Sequence, residues 1–112
     1  MRNIILDVEK MLDEIRFKPS DVRIYSILLE KGEMRVSEIA NELNLSARFV
    51  RDRLKELSNK GIVTREMIKK GWIGYVYKAE NPRKVFRRLK SRIIEELENL
   101  EKLMNNIEAS NR

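Results

Sequence analysis

The chain has no cysteine, no histidine and no glutamine among its 112 residues. The first two absences remove disulfides, Cys/His zinc sites, thiol redox sensing and every catalytic scheme built on histidine or cysteine. No apolar run approaches the ~20 residues that a membrane-spanning helix needs. Asp7, Glu9 and Lys10 interrupt the apolar N-terminus, so no secretory signal is expected. A soluble, cytoplasmic protein is the expectation. Missing glutamine and 38% charged residues lean towards a thermophile, but nine asparagines weigh the other way. No two carboxylates stand out by spacing and none lies near a glycine-rich phosphate loop. No enzymatic activity, cofactor or metal is therefore expected. The length suits one domain, residues 1–112, with a single modest core.

What the chain does have is segregated charge. Residues 46–92 hold fifteen Lys/Arg against four Asp/Glu, a net of +11. The remaining residues hold nine against fourteen, a net of −5. A strongly basic stretch in an otherwise acidic chain is the electrostatic footprint of a polyanion binder.

Hydrophobic periodicity orders the elements. Ile4, Ile5, Val8, Met11, Leu12 and Ile15 share one face of an amphipathic helix over 3–16, which Lys18-Pro19 breaks. Ser20 is expected to cap a second helix ending at Gly32. Its Val22, Ile24, Tyr25, Ile27, Leu28 and Leu29 place it at the centre of the domain. A brief strand is expected over "EMRV" (33–36), then a two-turn helix capped by Ser37 with Ile39, Ala40 and Leu43 inward. Asn44-Leu45 turns into a further helix capped by Ser46, with Val50, Leu54 and Leu57 inward and Gly61 just past its end. Two short helices joined by a tight turn, the second basic, form a helix-turn-helix. β-prone residues on both sides of "KKGW" (69–72) make a hairpin, read as a wing. Asn81-Pro82 opens a long helix to about Ile107. There Phe86, Leu89, Ile93, Leu97, Leu100, Met104 and Ile107 step as a heptad seam with one stutter. The tail "EASNR" is expected to fray. The fold class is thus mainly α with a small β-wing, made of five helices: an N-terminal helix (1–17), a winged core (18–80) and a long C-terminal helix (81–112).

Tyr25, Leu28, Leu29, Gly32, Val36, Glu38, Ile39 and Ala40, then Val50, Leu54, Leu57, Gly61 and Val63, resemble archaeal winged helix-turn-helix regulators. The nearest likeness is to the DNA-binding domain of the TrmB-like family, with MarR-like regulators next. "YVYKAENPRKVFRRLK" (75–90) resembles that family's passage from wing to long helix, and the likeness covers roughly 18–107. It implies a regulator that binds duplex DNA. Sugar regulators of the family carry a further C-terminal effector domain. Nothing follows residue 112 here, so sugar sensing is not expected.

Arginines at the head of a helix oppose its positive dipole end unless an anion is to come there. Helical geometry turns Arg48, Asp52 and Lys55 directly outward, with Arg51 at the border. Arg48 and Arg51 are expected to read base edges in the major groove, where arginine is the commonest reader of guanine. Lys55 is expected to meet phosphate. Ser37, Ser46 and Ala47 lie at helix starts, where phosphate also binds. Arg65, Lys69 and Lys70 on the wing suit the DNA backbone or minor groove. Asp52 fits this reading badly unless it accepts from a cytosine amino group or orients Arg48. Arg53, beside Val50 and Leu57, is expected to pair internally, with Glu56 or the first helix. A homodimer is expected through Ile93, Leu97, Leu100, Met104 and Ile107, with Ile4, Val8 and Met11 of the first helix. The competing reading is a winged-helix module whose basic stretch meets an acidic protein surface. Residues alone do not name an operator or a small-molecule effector.

Overall fold

The computed structural model describes Leu6 and residues 16–111. Of the N-terminal helix expected over 3–16, Leu6, which is helical, and Arg16 are described, whereas Ile4, Val8 and Met11 lie outside the described residues. Four helices and a two-stranded antiparallel sheet are described, and they fall into two units. Phe17–Val85 forms one unit, the winged core. The other holds Leu6, Arg16 and the chain from Phe86 onwards.

Helix α1 is Pro19–Lys31. Pro19 sits at its first position, where a missing N–H costs nothing, and the cap is Lys18 rather than Ser20. The Asp21 carboxylate accepts from the Lys18 N–H at 2.9 Å, a charged acceptor where a serine hydroxyl was expected. The helix does not lie at the centre with apolar surface all round. Ile24, Ile27 and Leu28 are buried, whereas Val22 and Leu29, on another face, are exposed.

The expected strand over 33–36 shrinks to a single bridge. Met34 exchanges two backbone hydrogen bonds with Tyr77, at 3.0 and 2.8 Å. It stops there because α2, Val36–Leu43, already begins with Arg35 as its cap. Glu38 reaches back to accept from the Arg35 N–H at 3.1 Å, so Ser37 is not the cap. Asn44 then takes a left-handed conformation, φ 55°, which asparagine tolerates better than most residues.

Helix α3, Ala47–Asn59, starts as expected: the Ser46 hydroxyl accepts from the Phe49 N–H at 3.1 Å. It ends in a Schellman motif. The Ile62 N–H bonds the Leu57 carbonyl, the Gly61 N–H bonds that of Ser58, and Gly61 has φ 74°. Strand β1, Val63–Lys69, pairs with β2, Ile73–Ala79, in a register running from Val63↔Ala79 to Lys69↔Ile73. Lys70, Gly71 and Trp72 close the hairpin, with Gly71 at φ 74°.

The core joins all these elements. Ile24 and Leu28 of α1, Ile39 of α2, Val50, Leu54 and Leu57 of α3, and Val63 and Tyr77 of the hairpin are buried together. One polar residue is buried among them, Asp21, only 2% exposed. Arg53 of α3 grips it with two parallel bonds, Nε to Oδ1 at 2.7 Å and Nη2 to Oδ2 at 2.8 Å. This is the internal partner of Arg53, in place of Glu56 or the first helix. Burial pushes the Asp21 carboxyl up, but the Arg53 bonds and the Lys18 N–H outweigh it and hold it below the usual range.

Helix α4, Pro82–Ser110, is capped by Asn81, whose side-chain oxygen accepts from the N–H groups of Arg83 and Lys84. It continues through Glu108–Ser110, where fraying was expected. At ~1.5 Å per residue its 29 residues extend ~44 Å. None of its residues is buried. The expected seam divides into two adjacent stripes. Leu89, Ile93, Leu100 and Ile107 are half-buried, and Leu103 joins them. Phe86, Leu97 and Met104 are exposed, and Ile94 joins those.

Candidate nucleic-acid interface

The outward face of α3, the start of α2 and the wing enclose an open cleft of about 1020 Å³. Six of the residues expected at a DNA interface line it: Ser37, Ala47, Arg51, Asp52, Lys55 and Arg65. They come from three elements, and the core fixes their relation. Burying Val50, Leu54 and Leu57 turns positions 51, 52 and 55 away from the core. The Asp21–Arg53 clamp adds a directional contact that sets the roll of α3 against α1. Ser46, Arg48, Lys69 and Lys70 are exposed but do not line the cleft.

The sequence reading missed the aromatic part of this site. Trp72 and Tyr75 line the cleft, each over an arginine. The Arg65 guanidinium lies 4.2 Å from the centre of the Tyr75 ring. That of Arg35 lies 4.9 Å from the centre of the Trp72 ring. Such cation–π contacts fix the planes of otherwise mobile arginines. Arg35 lies outside the basic stretch 46–92, and its only sequence signal is the spacing of three residues to Glu38. The cleft therefore presents Arg35, Arg51, Lys55 and Arg65 as cations, with the Asp52 carboxylate among them. Asp52 has no hydrogen-bond or ion-pair partner among the described residues. No cluster of metal-binding side chains occurs among the described residues, and no described helix is long and apolar enough to cross a membrane.

A basic helix with its outward face in a cleft, preceded by a short helix and flanked by a hairpin, defines a winged helix-turn-helix protein. The family described as "Sugar-specific transcriptional regulator TrmB" matches residues 12–88, and the chain belongs to this family of transcriptional regulators. A relative, an uncharacterized protein of Methanocaldococcus jannaschii, is 36% identical over 64 residues, 55% of this chain and 48% of that protein. The chain thus spans about half the length of the curated relative it matches. Among solved structures, a possible transcriptional regulator from Methanosarcina mazei Go1 superposes with a TM-score of 0.71 at 16% identity, over 88% of this chain and 87% of that one. A MarR family protein from Bacillus stearothermophilus gives 0.55 at 19% identity, over 91% and 69%. Reduced AbfR bound to DNA gives 0.54 at 20% identity, over 91% and 81%. At these identities the likeness is one of fold.

Proposed function

We propose that this chain is a non-catalytic, sequence-specific regulator of transcription that binds duplex DNA as a homodimer in the cytoplasm. The observation that carries the reading is the convergence of Arg35, Arg51, Lys55 and Arg65 on one cleft beside the outward face of α3. In this reading α3 enters the major groove, Arg48 and Arg51 read bases, and Arg65, Lys69 and Lys70 hold the backbone. The same fold occurs in AbfR bound to DNA, which supports the reading without assigning an operator. Dimerisation runs through α4, whose exposed stripe of Leu97 and Met104 is left for a second copy.

The test is equilibrium binding to a mixed-sequence duplex over a range of salt. If six to ten phosphates are met per dimer, affinity falls ~10³–10⁵-fold between 50 and 200 mM salt. A flat salt dependence, or no binding at 50 mM, refutes the reading in favour of a module that docks on an acidic protein.

A further inference from the structure

Arg35 is built into the cleft differently from the lysines of the wing tip. Its Nε donates to Glu38 Oε1 at 3.0 Å, and its backbone N–H donates to the same oxygen at 3.1 Å. Its guanidinium lies over the Trp72 ring. The Nη groups have no hydrogen-bond partner among the described residues, which leaves that edge of the donor fork open.

Trp72 is itself seated. A Cβ on Gly74 would lie 1.8 Å from Trp72 Cζ3, so the indole occupies the space that any side chain at 74 would take. The ring thus rests on the β2 backbone and the guanidinium rests on the ring. Val36 and Ser37, in the first turn of α2 where N–H groups lack intrahelical partners, line the same cleft. A planar guanidinium held at one edge, braced on its face and open at the other edge is suited to two oxygens of a phosphate. The Arg35–Glu38 pair is itself about half exposed and contributes little to stability, so the arginine is not there to hold the fold.

We propose that Arg35 is a phosphate-binding residue of the DNA interface, positioned by Glu38 and Trp72, through which the wing and the helix-turn-helix grip one strand together. This rests on the DNA-binding reading above and adds to it a contact outside the basic stretch. Trp72 is a positioning residue: it aims the guanidinium and does not itself meet DNA.

The experiment measures binding to a mixed-sequence duplex from 50 to 200 mM salt for the wild type, Arg35→Ala, Trp72→Leu and the double variant, with thermal melts as the check on folding. Each lost phosphate contact lowers the log–log salt slope by ~0.9, so Arg35→Ala in a dimer is expected to lower it by about 1.8. Trp72→Leu keeps the charge and hence the slope, but weakens binding of the dimer about five- to thirtyfold, the equivalent of two exposed cation–π contacts, one in each subunit. In the Arg35→Ala background it has no further effect. A wild type that binds steeply while Arg35→Ala keeps the full slope overturns this proposal and leaves the DNA reading standing. A Trp72→Leu loss that persists without Arg35 overturns the positioning role alone. A wild type with no salt-dependent binding overturns the DNA reading and this contact with it.

Discussion

Replacing Arg53 by methionine leaves the Asp21 carboxylate in the core without its charged partner. Both ends of the pair are well covered, with side chains 2% exposed for Asp21 and 14% for Arg53. Removing one partner of a buried ion pair costs about 3–5 kcal/mol. Asp21 keeps its bond from the Lys18 N–H, so the low end, about 3 kcal/mol, is expected. A net stability of about 5–15 kcal/mol makes that a large fraction. Urea unfolding at pH 7, followed by circular dichroism, measures it. The pH dependence supplies a second signature with a definite sign. In the wild type the Asp21 carboxyl is held below its ordinary value. Its stabilisation is therefore in place above the unfolded value of ~3.9 and is lost as pH falls through the lower folded value. In Arg53→Met, burial without the guanidinium raises the folded value above the unfolded one. The variant then gains stability as pH falls through that raised value, where the wild type is flat or losing. A loss under about 1 kcal/mol at pH 7, or the same pH trend in both proteins, refutes the assignment of Arg53 as the clamp of Asp21.

Leu97→Glu places a carboxylate on the exposed stripe of α4, twice in a two-fold seam. Sedimentation velocity at micromolar concentration is expected to give a dimer for the wild type and a folded monomer for the variant, and a dimeric variant rules the stripe out. Arg51→Ala is expected to lose about 1–3 kcal/mol on a selected site and to relax one base position. Lys69→Ala is expected to weaken all sequences alike and to lower the salt slope by about 1.8, one contact in each subunit. Binding-site selection with each variant checks the pair, and a shift of base preference in Lys69→Ala alone reverses the roles.

The parts of this fold that were legible from sequence are those settled by neighbours in the chain. Ser46, Gly61, the glycine of the "KKGW" turn and Asn81 each do locally what their types favour. Ser20 and Ser37 failed as caps because a carboxylate at the third helical position, Asp21 or Glu38, bonds the preceding N–H and moves the helix start upstream. A pattern scan that favours serine misses such competition. What the chain order hides is pairing at a distance. Asp21 and Arg53 are 32 residues apart, and each alone reads as a surface charge. Arg35 and Trp72 meet only because the Met34–Tyr77 bridge ties the start of α2 to the wing. The α4 seam was legible as apolar, but spacing of three and four residues is satisfied by two adjacent stripes at once. Only exposure separates Leu97 and Met104 from Ile93, Leu100 and Ile107.

Trp72 is the single tryptophan of the chain, and it stands in the cleft with 38% of its surface exposed. The protein therefore carries a built-in optical probe. Indole emission follows the polarity around the ring and is sensitive to a stacked cation. Emission excited at the red edge of indole absorption, beyond most of tyrosine's, reports on this one position, because an aromatic body with a polar tip senses both its packing and its water. A titrant that enters the cleft changes that emission, whereas one that docks elsewhere leaves it unchanged. The three tyrosines do not mask the signal. Occupancy of the cleft can thus be followed in the unmodified chain, with no dye attached to the surface whose charge is under study.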